Sequence, residues 1–345
     1  MSNTVIITGV TGQDGSHMVD FLLENTDLKI YGGIRRLSVS NHKNLEHIDM
    51  DNSERFELIN IDLSDSHSIE QSILKYKPDY FINFAAQSFV GSSWDFPKQT
   101  FEVNATAVLD ILEAVRTHHP TCRVYNAGSS EEFGDVISSP QNENHPLRPR
   151  SPYGASKAAS RHLIKVYRES YGIYCVQGWL FNHEGTRRGK EFVTRKITST
   201  IASIKKSLSS DSDFKPLEVG NMDAERDWSD AEDFMSGIWL MLNQQTPKDY
   251  VLSSGEVNNV RRFIKLCFKF AEIEIKFSGK GEEEKIFTKD GKLLVKVNPK
   301  FYRPAEVNLL KGDPSCAIRE LNWKRNCDFK SLVCKMLNND IKEIS

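Results

Sequence analysis

The stretch VIITGVTGQDG, Val5 through Gly15, decides the fold. Residues 5–8 are apolar enough for a short buried strand, and residues 16–24 carry a helical pattern. Between them Gly9, Gly12 and Gly15 are spaced GxxGxxG. A dinucleotide needs glycine there for a tight turn, for close approach of backbone to pyrophosphate, and for helix packing on the sheet. The helix N-terminus adds free N–H groups and a partial positive charge. The glycine pattern alone is weak, and its place between strand and helix gives it weight. Thr11, Gln13 and Asp14, which fill the loop, join the three glycines as candidate dinucleotide contacts.

Outward from this loop, apolar runs at 29–35, 56–62, 79–86, 123–126 and 173–180 alternate with helical patterns, the longest at 101–116 and 153–170. That alternation predicts a Rossmann-type, doubly wound parallel sheet with helices on both faces over residues 1–180. After Phe181 the rhythm changes, with helices expected at 195–206 and 231–242 and short strands at 215–219 and 250–252. We read 181–345 as mainly a smaller α/β substrate-binding domain, with some later segments returning to the first. The Lys- and Glu-rich stretch 280–300, around Asp290-Gly291, reads as a hairpin or exposed loop with a solvated face.

Of the 345 residues 39% are apolar and 27% charged, enough for a sizeable core. Lys and Arg number 45 against 47 Asp and Glu, a net charge of -2, which points to neither nucleic acid nor a membrane surface. Phosphates must then be held by local basic residues. Six cysteines occur without a CxxC pair, so buried free thiols in a reducing compartment are expected and a metal site is not. The start, MSNTVIITG, lacks a basic and an apolar leader region, and no run of 18 apolar residues follows; a cytoplasmic protein is the expectation.

The end of the second strand carries Arg35-Arg36 where an NAD protein usually has a carboxylate. A guanidinium pair suits a 2′-phosphate, hence NADP; two surface arginines are the plainer alternative. Asp62 and Leu63 end the third strand where an adenine would lie, and Phe84, Ala85, Ala86 and Ser88 follow the fourth along the dinucleotide's path. Of ten tyrosines, Tyr153 alone has a lysine four residues on, Lys157, which places both on one helix face. A free phenol titrates near 10, and a nearby ammonium favours the phenolate a base requires. Ser129-Ser130 follow the preceding strand.

The glycine loop, the serine and YxxxK resemble extended short-chain dehydrogenases, which act mostly on nucleotide sugars. The chain is most similar to GDP-mannose 4,6-dehydratases in the strings TGVTGQDGS, RR, AAQS, RSPYGASK, LFNHEGTRRG, FVTRKI, DAERDW, SSGEV and YRPAEV, from residue 8 to about 307. The resemblance implies NADP as cofactor, GDP-mannose as substrate and a role in GDP-fucose biosynthesis. It implies that Ser129, in place of the family's threonine, bonds the sugar O4, that Tyr153 with Lys157 removes the O4 proton, and that Glu131 serves as acid and base at C5 and C6. A second carboxylate follows at Glu132, but the spacing to Tyr153 favours Glu131. Substrate contacts are implied for Asn182, Lys196, Arg226, Arg303 and Glu306, with Ser88, Ser129 and Glu131. His183 and Arg188 are implied near the nicotinamide, and Gln99 stands where the family often has a cofactor-contacting tyrosine. The loop 36–44 commonly reaches a neighbouring subunit, which implies a homodimer or homotetramer. Two rival readings are a nucleotide-sugar 4-epimerase, which needs no acid/base at C5, and a non-catalytic NADP-binding sensor or scaffold.

Overall fold

A computed structural model describes residues 3–36, 38–39, 41–49, 52–302 and 310–344. Strand β1 (Thr4–Thr8) is buried along its whole length. Its side chains alternate, as a strand must: Val5 and Ile7 join one core and Ile6 the other. A strand apolar on both faces belongs in the middle of a parallel sheet covered on both sides. Around it lie β2 (Lys29–Ile34), β3 (Phe56–Asn60), β4 (Tyr80–Asn83), β5 (Arg123–Ala127) and β6 (Cys175–Leu180). All neighbours pair in parallel, in the order β3-β2-β1-β4-β5-β6, and the short strand Val251–Leu252 extends the edge beyond β6.

On one face, helix α1 (Gln13–Asn25) packs with the helix Ala231–Leu242 through Met18, Leu22, Phe234 and Ile238. The other face is covered by α2 (Ser66–Tyr76) and the helices Ala107–His118 and Pro152–Tyr171, through Ile73, Ile111, Val115 and Ile164. Ala231–Leu242 and Val251–Leu252 are thus later segments that return to the first sheet. A separate core, with Ile201, Phe263, Val295 and Leu332, lies between the helices Val193–Ser209, Val260–Phe270 and Phe329–Ile344 and a four-stranded sheet.

One expectation holds with an addition, and two are corrected. The hairpin in 280–300 forms, Lys285–Thr288 against Leu293–Val297, but Ile286, Leu294 and Val295 are fully buried, so it is a wall of the second core as well as a solvated face. The continuous helix expected over 101–116 is a π-helical turn, Glu102–Thr106, leading into Ala107–His118. The wider turn carries Asn104, buried, whose amide bonds the Gln87 N–H at 2.9 Å and the Gln87 carbonyl at 3.0 Å. Of the six thiols, Cys122, Cys175 and Cys267 are buried, whereas Cys316, Cys327 and Cys334 are only partly so.

A row of polar residues crosses the sheet at its carboxyl end. Thr8, Asn83, Asn126 and Gln177 are direct register partners on β1, β4, β5 and β6. Thr8 Oγ1 donates to Asn83 Oδ1, Asn83 Nδ2 to Asn126 Oδ1 at 2.8 Å, and Asn126 Nδ2 to Gln177 Oε1 at 2.7 Å.

Candidate active site

The glycine loop is shaped by contacts that exclude a side chain. Gly9 has φ +70°, and a Cβ there would stand 2.7 Å from the Ala85 nitrogen. A Cβ on Gly15 would lie 2.3 Å from the Gly9 carbonyl oxygen, so α1 packs closer to the loop than any other residue permits. Gly12 precedes α1 without a capping side chain, which leaves the first-turn N–H groups to an outside acceptor. These residues line a cavity of about 1150 Å³. Its walls include Gly9, Thr11, Gly12, Gln13, Asp14, Gly15, Arg35, Arg36, Asp62, Leu63, Phe84, Ala85, Ala86, Ser88, Gln99 and Arg188. Asp62 accepts from the Ser64 N–H at 2.9 Å and hydroxyl at 2.7 Å, which with the Arg35 charge holds its carboxyl below the usual range.

Sequence reasoning missed other walls of this cavity: Lys43, Asn44, Arg187, Lys190, Arg195 and Glu343. Arg187 and Lys190 sit inside or beside the string LFNHEGTRRG and were within reach of a charge count. Glu343 has no local signal. It arrives on the helix Phe329–Ile344 and pairs with Lys43 at 3.2 Å and Arg195 at 3.3 Å. Asn44 Nδ2 donates to the Thr11 carbonyl at 2.9 Å, so this part of the loop 36–44 bonds its own glycine loop.

A second cluster stands past β5, the strand next to β4, and is not part of the cavity wall. Ser129 caps the short helix Ser130–Glu132, its hydroxyl accepting from the Glu131 N–H at 3.2 Å. The Ser129 hydroxyl is also the neighbour that favours the ionised Tyr153 phenol. Ser151 caps the helix Pro152–Tyr171, accepting from the Gly154 N–H at 3.0 Å, and so starts it one residue before Tyr153. Lys157, one turn on, donates to the Ala127 carbonyl at 2.7 Å, with its Nζ 6.0 Å from the Tyr153 ring centre. Burial drives the Tyr153 phenol well above its ordinary value; the Ser129 hydroxyl opposes this, the Glu131 and Glu132 charges add to it, and Arg188 opposes it. Burial pulls the Lys157 ammonium down to about 8, against the pull of Glu132 and Asp14 and with the push of Arg161. The two carboxylates part company here: Glu132 is fully buried and ion-paired to Arg161, while Glu131 is half-buried and acts on Tyr153 by its charge.

His183 is held by two bonds beside the glycine loop. Its Nδ1 faces the Phe181 carbonyl at 2.7 Å, and its Nε2 faces Asp14, itself on the cavity wall, at 2.9 Å. Arg188 pairs with Glu184 at 3.1 Å and covers the Phe192 ring.

The sequence profile of the GDP-mannose 4,6 dehydratase family matches residues 6–336. The GDP-mannose 4,6 dehydratase of Drosophila melanogaster is 42% identical over 344 residues, 98% of this chain and 86% of that protein. The chain belongs to the GDP-mannose 4,6-dehydratase family. The human member, named GDP-mannose 4,6 dehydratase, is 39% identical over 99% of this chain and 92% of its own. The fold is shared more widely: UDP-glucose 4-epimerase of Thermus thermophilus, solved with NAD, superposes with a TM-score of 0.79 at 22% identity, covering 98% of each chain. That likeness extends to fold alone.

In this GDP-mannose 4,6-dehydratase family member two of the residues expected on the sugar-nucleotide side sit on short strands and one on a long helix. Asn182 opens the strand Asn182–Glu184, paired in parallel with Trp228–Asp230. Arg226 lies on Glu225–Arg226, antiparallel to Asn258–Asn259. Lys196, on the helix Val193–Ser209, holds its Nζ 3.5 Å over the Phe301 ring, and burial lowers its ammonium while Glu218 opposes. Arg303 and Glu306 lie outside the described residues. Among the described residues no helix is long and apolar enough to cross a membrane.

Proposed function

We propose that this chain converts GDP-mannose to GDP-4-keto-6-deoxymannose with bound NADP. Residues 1–180 would hold the cofactor and 181–345 mainly the sugar nucleotide. The glycine cradle, which a Cβ at Gly9 or Gly15 would fill, and the uncapped start of α1 fit a dinucleotide pyrophosphate. Arg35 and Arg36, exposed on the cavity wall, fit a 2′-phosphate and so favour NADP over NAD. When bound, the nicotinamide would supply the hydride acceptor for the sugar's C4 and, once reduced, the hydride donor for its C6.

The observation that carries the reading is a carboxylate, Glu131, beside the Ser129 and Tyr153 hydroxyls; it and Ser129 both act on the phenol. Ser129 and Tyr153 meet the O4 hydroxyl, and Tyr153 takes its proton, with the Lys157 ammonium nearby favouring the phenolate. The new 4-ketone acidifies C5–H. Glu131 takes the C5 proton and gives it to the departing C6 hydroxyl, which leaves as water. Tyr153 returns its proton to C5 as C6 is reduced, so no net oxidation remains. An epimerase needs no such carboxylate, and a sensor needs neither tyrosine nor lysine. Arg226 and Lys196, with Asn182, supply donors suited to the GDP diphosphate. The same reading has the enzyme act as a homodimer or homotetramer in the cytoplasm.

The test is incubation of the purified protein with GDP-mannose and NADP, followed by mass analysis. The product should be lighter by one water. An isomer of unchanged mass would point to epimerisation, and no turnover with any nucleotide sugar to a binding protein.

A further inference from the structure

Glu132 immediately follows the proposed acid/base, yet it points into the protein. Its Oε1 accepts from the Ser129 N–H at 2.8 Å, from Gln177 Nε2 at 3.1 Å and from Arg161 Nη2 at 3.1 Å. Its Oε2 takes the Arg161 Nε–H. Arg161 stands on the same helical face as Tyr153 and Lys157, two turns and one turn further along Pro152–Tyr171. Its Nη1 donates to the Gln177 carbonyl at 2.7 Å and pairs with Asp249 at 3.4 Å, and its plane lies 3.4 Å over the Trp179 ring. The backbone makes room for the pair: a Cβ on Gly128 would stand 2.7 Å from both Arg161 Nη2 and Glu132 Oε1.

A buried ion pair is a poor source of stability, because removing two charges from water costs about what their attraction returns, and an apolar pair often does as well. Its value here must lie in what it holds. It holds the backbone of Ser129 on one side and, through Gln177 Nε2 on the Lys157 carbonyl at 3.0 Å, the Lys157 turn on the other.

We propose that Glu132 and Arg161 are positioning residues: the pair fixes Ser129 against Tyr153 and sets the charge seen by Lys157. This rests on the roles proposed above for Ser129, Tyr153 and Lys157. The charged groups acting on Lys157 are Glu132 and Asp14, which favour its ammonium, and Arg161, which opposes it, with the Tyr153 phenol alongside. Neutralising Glu132 removes one of the two favourable charges and leaves Arg161 in place, so the Lys157 midpoint falls. A displaced Ser129 slows the step without much change in sugar-nucleotide binding.

Two variants test it, Glu132→Gln and the apolar pair Glu132→Leu/Arg161→Met, with kcat counted per NADP-binding site so that unfolded protein does not enter. The Lys157 midpoint is followed by isotope-edited NMR of lysine Cε, assigned with Lys157→Met. We expect Glu132→Gln to lower that midpoint by about half a unit or more. Both variants should lose roughly tenfold to a hundredfold in kcat, the scale of a misplaced reacting group, with KM for GDP-mannose within about twofold. The apolar pair should melt near the wild type. A folded apolar pair with wild-type kcat, or a Glu132→Gln midpoint that does not move, overturns the proposal. If Glu132→Gln does not fold, the apolar pair decides. If the wild type itself turns over no GDP-mannose, the functional reading has failed, and the NMR midpoint still judges the pair.

Discussion

His183 Nε2 stands 2.9 Å from Asp14 Oδ2, and the two residues are 169 positions apart in the chain. The contact ties the first turn of α1 to the strand Asn182–Glu184. Burial opposes charge on both partners, yet mutual attraction prevails: the Asp14 carboxyl is held well below its usual range, and the imidazolium is favoured. Both ring nitrogens face an acceptor, as a doubly protonated ring requires.

From that pair a pH dependence follows. The imidazolium's contribution is full below the ordinary histidine value of about 6.5 and is lost as pH rises through its elevated value. The carboxylate's contribution is full above about 3.9 and is lost as pH falls through its depressed value. The pair therefore stabilises most between about pH 4 and 6.5. His183→Gln should cost about 1–3 kcal/mol near pH 6 and less near pH 9. Urea unfolding at the two pH values measures it, and an equal loss at both counts against a charged pair.

Arg35 should discriminate between the cofactors. Arg35→Ala is expected to weaken NADP binding by roughly 1.5–3 kcal/mol, the worth of a charge-assisted bond to phosphate, and to leave NAD binding nearly unchanged. Fluorescence titration of both proteins with both dinucleotides reads this out. Equal affinity of the wild type for NAD and NADP would remove the argument.

Tyr153→Phe keeps the ring and its packing but loses the proton acceptor. The first oxidation should slow by roughly 10²–10⁴-fold, with GDP-mannose affinity little altered. Stopped-flow absorbance of reduced nicotinamide is the measurement. Near-normal formation would assign the base elsewhere.

Glu131→Gln separates elimination from oxidation. The variant should still oxidise C4, accumulate a 4-keto hexose that retains its C6 hydroxyl, and take up little solvent deuterium at C5. A dehydration rate within about tenfold of wild type is too small a loss for an acid/base group and would falsify the assignment.

Much of this was legible in the sequence because the deciding signals are local. Gly9, Gly12 and Gly15 and the pair Tyr153–Lys157 have fixed spacings set by one turn or one helix, and the structure brings the first set to the cavity and the second to Ser129. What was not legible depends on distant partners. Glu132 read as an alternative to Glu131 until its partner appeared, 29 residues on, in Arg161. Nothing near His183 in sequence announces its partner Asp14. Glu343 reached the cavity wall through the packing of a helix whose pattern says only that one face is apolar. The π-helical turn at Glu102–Thr106 escaped because its apolar spacing is that of an ordinary helix; Asn104 reveals it only through bonds to Gln87.

The row Thr8, Asn83, Asn126 and Gln177 also bears on how the chain avoids error. Slippage of any one strand by a single residue would turn its hydroxyl or amide to the opposite face and leave a neighbour's buried donor or acceptor unmatched. Apolar neighbours such as Ile6 and Phe81 tolerate a shifted mate far better than an amide does. The row thus acts as an alignment mark, and because its end member Gln177 also donates to the Lys157 carbonyl at 3.0 Å, a sheet closed in the wrong register would disturb the turn that carries Lys157.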